Sequence, residues 1–443
     1  MKKNLLLTLV SAMLVSNMVQ AGSADSTKTV KYRRSSLDMI LIESDNFPQK
    51  ETVINAYVNA PFPEKYNNHS VKKPAFNPAQ FTVTDEEREK AGVGKSATGK
   101  LLASAGSDAT NGLVDSNAAD MPIIIDKYVT QNKIANKLVA KWFNRQANGA
   151  FDMSLISERG FYNASEMEAN IAKGSTRGVA SLGDAGEELI NNTFVVFTKL
   201  KFVANEPVAR AIRDLAIANA SKAGMGADLV IAGANKVYEK TKEGYSVWTT
   251  SYLYKLTWND SIAAIFYQDY WVDKDHLDKK KIAAFDTTSL FSLEFVGDEK
   301  ASSLVTFSLK EKRTEEQIIT LSTVRNVDAV FSKLQKKYEV FKPKVPLYTG
   351  FPITAKIGMK EGLEGGEKFE VLEQTMDPKT GRTVYEKRGT IKVEKDMIWD
   401  NRYNAGETTD PATDSAAATP VIDRTTFSGG KNYYSGMLIR QLK

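Results

Sequence analysis

Apolar and polar positions along this chain follow two rhythms, and the order of those rhythms predicts the architecture. Ser36 to Glu43 is a dense apolar run flanked by charge, as a buried strand requires. Met121-Pro122 opens a stretch to about Gln146 in which Tyr128, Ile134, Leu138, Trp142 and Phe143 share one stripe at helical spacing, and Asn148-Gly149 closes it. Phe151 to Ser157 alternates and predicts a strand. Ala164 to Asn170 and Gly178 to Ile190 predict helical pieces, and Thr193 to Ala204 is a β-branched apolar strand. Strand, helix, strand, helix, strand in that order implies an α/β sandwich with at least partly parallel pairing. The alanine-rich residues 206–242 predict two helices on either side of Gly224-Met225-Gly226, interrupting the sheet. Tyr245 to Trp258 and Ile262 to Val272 then read as two aromatic strands turning at Asn259-Asp260.

Beyond this point the pattern shifts toward strands. Phe291 to Phe295 and Ser303 to Leu309 predict a hairpin through Gly297-Asp298, and Thr314 starts a helix to about Phe341, with Glu316 or Gln317 placed for a capping box. Pro343 and Pro346 mark a boundary. After it come the short strands Phe351 to Ile357, Lys368 to Gln374, Thr383 to Arg388, Gly389 to Val393 and Tyr433 to Arg440. Turns at Gly365-Gly366, Asp377 to Gly381 and Gly429-Gly430 separate them, which fits a small barrel. Residues 46–120, with Pro48, Pro61, Pro63, Pro74 and Pro78 and a Gly/Ser/Ala mixture, read as a long insertion or loosely structured arm. The fold class expected is therefore an α/β (α+β) sandwich domain with a helical insertion, followed by a small all-β barrel. Its parts are a leader at 1–21, an α/β domain at 22–272 carrying the insertion at 46–120 and the helical pair at 206–242, an α+β extension at 273–342 made of a hairpin and a helix, and the barrel at 343–443 with a flexible loop at 404–420.

The amino terminus sets the expected compartment. Met1-Lys2-Lys3, an apolar run from Leu5 to Val15 and Val19-Gln20-Ala21 have the form of a secretory signal cleaved after Ala21. The run is far shorter than the roughly 20 residues of a spanning helix, and no later segment holds 18 uninterrupted apolar residues, so no transmembrane helix is expected in the mature chain. With no cysteine at the cleavage point it is not a lipoprotein. The expectation is an exported protein of the periplasm or outer-membrane surface of a Gram-negative bacterium. Of the 443 residues, 42% are hydrophobic and 26% charged, in the ordinary globular range. The lack of cysteine excludes disulfides, cysteine-type zinc sites and thiol nucleophiles. A net charge of +5 comes without a basic block interleaved with aromatics, so nucleic acid is not an expected partner.

Two segments carry a family resemblance. Phe151-Asp152-Met153-Ser154-Leu155-Ile156-Ser157-Glu158-Arg159-Gly160-Phe161-Tyr162-Asn163-Ala164, followed by Leu182-Gly183-Asp184-Ala185-Gly186-Glu187-Glu188-Leu189-Ile190, resembles the curli-secretion lipoprotein family and the amino-terminal domain of the translocation protein TolB. There a strand ends in a Glu-Arg element and a helix leads through Leu-Gly to a further strand. An α/β domain followed by a small barrel also resembles flagellar assembly protein T. The resemblance implies an envelope assembly or scaffold role and carries over no catalytic residue. The chain departs from the curli family in lacking the lipid-bearing cysteine and a pair of long amphipathic hairpins.

The candidate chemistry is sparse. Gly92-Val93-Gly94-Lys95-Ser96 echoes a phosphate-binding loop, but Glu89 stands where the first glycine belongs and no strand precedes it. His69 and His276 read as surface residues, Glu158-Arg159 as a salt-bridged strand end, and Glu187-Glu188 as a solvated helix turn. The acidic runs at Asp273 to Asp278 and Asp396 to Asp400 lack calcium-loop spacing. Trp248, Tyr252, Tyr254, Trp258 and Trp271 form the richest aromatic cluster, suited to sheet core packing or to contact with a partner or glycan. Gly224, Gly226 and Gly233 permit close helix approach, within the chain or at an oligomer interface. No catalytic residue, metal or cofactor is expected. The reading is a non-enzymatic envelope assembly or scaffold protein with an envelope protein partner or as a homo-oligomer. A glycan or peptidoglycan-binding module and a carboxylate-dependent glycan hydrolase are the alternatives.

Overall fold

The computed structural model describes residues 32–92, 118–163, 188–220, 226–306, 313–377, 383–405 and 422–442. The predicted leader, Val93 to Ser96 of the glycine-rich loop, Ala164 to Glu187, Gly224 and most of the loop at 404–420 lie outside them. From Lys31 onward the chain forms one compact unit.

Its larger part is a six-stranded sheet. β1 (Ser36–Ile42) pairs in parallel with β2 (Asn67–Asn68), β3 (Ala75–Phe76) and β4 (Thr193–Ala204). β4 pairs antiparallel with β5 (Gly244–Leu256), and β5 with β6 (Leu293–Thr306), giving the order β2-β1-β4-β5-β6 with β3 beside β1. Alternate residues point to opposite faces of a strand, and here both faces are apolar. Ile40, Ile42, Val195, Phe197, Tyr252 and Tyr254 face the helices Met121–Gln131 and Ile134–Trp142. Leu41, Leu200 and Val247, with Leu37, Phe194, Val196 and Leu253, face the helices Lys50–Val58 and Glu315–Lys337. The result is a sheet between two helical layers, with parallel strands on one side and an antiparallel pair on the other.

The smaller part is a closed antiparallel barrel of β7 (Val345–Gly350), β8 (Ile353–Ala355), β9 (Lys368–Met376), β10 (Thr383–Val393), β11 (Thr425–Gly429) and β12 (Leu438–Gln441), ordered β10-β11-β8-β7-β12-β9. Its interior is filled by Val345, Leu347, Phe369, Val371, Ile391, Phe427 and Ile439 among others. The α/β sandwich with a helical insertion and a barrel beyond it is thus the architecture observed. The long helix begins at the expected capping box, in which the Thr314 hydroxyl accepts from Gln317 N and the Gln317 side chain accepts from Thr314 N.

Several local expectations are corrected. Ile262 to Val272 is not a strand but the helix Asp260–Ile265 running into a π-turn at Phe266–Tyr270, because Asn259 caps it by accepting from Ile262 N at 3.0 Å. Phe151 to Ser157 leads into the helix Ser154–Asn163, started by Asp152 accepting from Ser154 N at 2.9 Å. Over 293–306 the expected hairpin is instead the single strand β6, whose register shifts by one residue where Leu253 pairs with Gly297 and Tyr254 with Phe295, leaving a bulge at Val296 beside Gly297. Gly297 has φ +153, and a Cβ there would fall 2.2 Å from the Tyr338 hydroxyl, so the bulge needs glycine. The helix expected from Met121 to Gln146 breaks at Lys133, which has φ 52. Residues 46–120 contain the helices Lys50–Val58 and Asp85–Lys90 and the short strands β2 and β3, so much of that stretch is built into the sheet edge.

Candidate functional site

The aromatic cluster lies mainly in the core. Tyr252, Tyr254 and Trp258 are buried among Phe197, Phe266 and Phe291, with the Trp258 and Phe291 rings stacked at 6.3 Å. Trp271 is half-buried against Phe151 at 5.8 Å, and Trp248 is half-buried between Lys201 and Ser302 of the neighbouring strands. Rings packed this way have no face left for a sugar at Tyr252, Tyr254 or Trp258.

His69 is fully buried, which corrects its expected surface position. Its Nδ1 lies 2.9 Å from Arg159 Nη1 and its Nε2 lies 3.0 Å from Leu138 O. Because a guanidinium only donates, Nδ1 accepts and Nε2–H donates to the carbonyl. Burial, together with the Arg159 charge, holds the ring's proton affinity well below the ordinary histidine value, so it stays neutral. Arg159 also reaches Ser36 Oγ and Asn68 O, both at 3.0 Å, and lies over the Trp142 ring at 4.6 Å. Burial lowers Arg159 itself to about 10. This arginine therefore fastens its helix to the edge of the sheet and does not end a strand. Glu158 beside it is exposed. His276 is exposed and held by Asp273 at 3.0 Å. Among the described residues no group of three or more His, Asp or Glu is placed to hold a metal ion.

One element is built differently from the rest. Between β4 and β5 the chain leaves the end of the sheet as the helices Asn205–Ala220 and Ala227–Thr241, which pack against each other. At the base, Asn205 Oδ1 accepts from Ser246 Oγ at 2.8 Å and Asn205 Nδ2 donates to Glu243 O at 3.2 Å. The Tyr238 hydroxyl bridges the pair by donating to Glu206 Oε1 at 2.9 Å, and Arg213 covers the Tyr238 ring at 4.5 Å. An apolar groove of about 390 Å³ runs along the pair, lined by Val208, Ala209, Ile212, Ala216, Ala234 and Val237. The second helix has no buried residue. Leu229 is 82% exposed, Leu215 65%, Ile212 60%, Val237 54% and Val230 44%.

Of the predicted glycines, Gly226 and Gly233 belong to this element. A Cβ at Gly226 or Gly233 would meet nothing within 4 Å, so neither makes room for a neighbour among the described residues. An exposed mid-helix glycine costs about 0.5–1 kcal/mol relative to alanine. Sequence reading marked these glycines but missed the exposed leucines, valines and isoleucine. Their i, i+3, i+4 spacing was visible, yet it looks the same whether a stripe is covered or bare.

No protein-family model matches the chain, and no curated protein matches it in sequence.

Proposed function

We propose that this chain is a non-enzymatic assembly protein of the cell envelope, whose helical pair 205–241 is the surface through which neighbouring copies pack. One observation carries the reading: five large apolar side chains stand exposed on a two-helix projection that adds little to the core of its own chain. Burying one such leucine contributes about 1.5–3 kcal/mol, so leaving a row of them in water makes physical sense in a chain that covers them by association. The open positions at Gly226 and Gly233 let a second helix approach closely. The secretion-signal pattern at Met1 to Ala21 and the resemblance to envelope assembly proteins support an envelope location in this reading. No helix of the described residues is long and apolar enough to cross a membrane, which fits a partner other than a lipid-spanning helix of this chain.

The test is the native mass of the full-length chain, released gently from its own envelope, measured by light scattering behind a sizing column with crosslinking in parallel. The wild type is expected as a discrete multi-copy complex. The double variant Leu215→Glu, Leu229→Glu is expected as a monomer with an unchanged melting temperature. A monomeric wild type, or a double variant that assembles equally well, overturns the reading.

A further inference from the structure

Where the sheet domain meets the barrel, a second cavity of about 340 Å³ opens between segments distant in sequence. It is lined by Arg34 before β1, Lys65 before β2, Glu188 before β4, Glu339, Lys342 and Lys344 of the connection between the two parts, and Arg440 of β12. Five cationic side chains thus face one small volume with only two carboxylates, Glu188 and Glu339.

The neutralising contacts are unevenly shared. Glu339 accepts from both Lys342 at 3.0 Å and Arg440 at 3.1 Å, and Arg440 also pairs with Glu370 at 2.6 Å. Lys65 donates to Lys356 O at 2.6 Å, with Glu361 4.0 Å away. Lys344 has no ion pair with any described carboxylate; its ammonium rests over the Tyr385 ring at 4.2 Å. That ring is fixed by a hydrogen bond between the Tyr385 and Tyr32 hydroxyls, and the Tyr32 oxygen also accepts from Arg34 Nε at 3.2 Å. Burial, reinforced by Arg440 and Arg34, pulls the Lys344 proton affinity below the ordinary lysine value, while Glu188 and Glu339 act the other way.

A half-enclosed cavity strengthens every charge interaction inside it, so this arrangement is costly when empty and favourable once an anion enters. Ser35 and Asn192 add neutral hydrogen-bonding groups to the lining. Phosphate oxygens match such a mixture of guanidinium, ammonium and neutral donors. The volume falls in the range of about 300–1,000 Å³ typical of small-molecule sites, which leaves room for an organic substituent on the phosphate.

We propose that the junction cavity binds a phosphate ester, with Lys344 as its principal charge contact and Arg34, Lys342 and Arg440 forming the surrounding field. A free phosphorylated small molecule and a phospholipid headgroup share this chemistry. The site is independent of the helical pair, so its failure would leave the assembly reading untouched.

The experiment is calorimetric titration of the full chain with glycerol 3-phosphate and inorganic phosphate, alongside co-sedimentation with vesicles of phosphatidylglycerol or of phosphatidylcholine. Lys344→Met is compared with the exposed-site control Lys279→Met. Binding of the soluble ester, weakened at least tenfold by Lys344→Met and unaffected by Lys279→Met, establishes a small-molecule site. Sedimentation with phosphatidylglycerol alone, lost in Lys344→Met, establishes a headgroup site. Thermal melting of Lys344→Met is expected at or above wild type, since the change removes a half-buried charge that has no ion pair with a described carboxylate, and this separates lost binding from lost folding. A wild type that binds neither probe, or a Lys344→Met variant that binds as tightly as wild type, overturns the proposal.

Discussion

Asp38 shows at a single residue how the sheet stores a pH dependence. It sits on β1 with no exposed surface, and burial raises its carboxyl to about 6, although hydrogen bonds from Val71 N and Met39 N favour the ionised form. Asp328 on the long helix is raised to about 6 by the same cause, with Lys360 3.6 Å away opposing it. In the unfolded chain such a carboxyl titrates near 4. The folded state therefore holds these protons more tightly, and stability rises as pH falls from above 6 toward 4. For each group the difference is on the order of 2–3 kcal/mol, because one pH unit corresponds to about 1.4 kcal/mol. Asp38→Asn removes the charge and retains an acceptor for Val71 N. It is expected to raise urea stability at pH 7.5 by about 1–2 kcal/mol and to flatten the rise between pH 7 and pH 5, both read from urea midpoints across that range. An unchanged slope would assign the pH dependence elsewhere.

At the scale of elements, the helical pair invites a substitution that separates local stability from association. Gly233→Ala meets no neighbour, so it should strengthen the second helix by about 0.5–1 kcal/mol, seen as greater amide-exchange protection of Ala227–Thr241. If copies approach one another at that glycine, the added methyl weakens assembly at the same time, and the concentration at which the complex dissociates rises. Protection and assembly rising together would place the contact on another face. The pair itself was legible in the sequence because its alanine content and length admit nothing but helix. Residues 262–272 were not, because Ile262, Phe266, Tyr267, Tyr270 and Trp271 favour strands by type, whereas Asn259 capping and the spacing of Phe266 and Tyr270 favour helix. There the tertiary environment decided: Phe266 and Tyr270 close over Phe285 and Phe291. Gly297 misled in a related way, since a glycine that ends a strand and one that bulges it look alike until Tyr338 is seen lying against it.

At the scale of the whole molecule, the sheet-plus-barrel plan could be read from strand and helix order, but the junction between the parts could not. Arg34, Lys65, Lys344 and Arg440 come together only in space, and no local pattern links them. The same holds for Tyr66, which binds the two parts from a loop that reads as unremarkable polar sequence. It is buried, donates to Phe341 O at 2.6 Å and accepts from Gln335 Nε2 at 3.2 Å. Its ring packs on Phe331 of the long helix at 5.6 Å and on Phe341 at 5.0 Å, immediately before the barrel begins at Val345. One side chain thus joins the sheet edge, the long helix and the connection to the barrel. Tyr66→Ala opens a cavity there and strands the Phe341 carbonyl, a loss of about 3–5 kcal/mol. That loss falls on the sheet domain, because the barrel keeps its own core of Val371, Ile391 and Ile439. In scanning calorimetry the wild type is therefore expected to unfold in one transition, and Tyr66→Ala in two, with the barrel melting at the higher temperature. A single transition displaced to lower temperature would mean that other contacts, such as Lys336 to Glu367 at 2.7 Å, suffice to keep the two parts unfolding together.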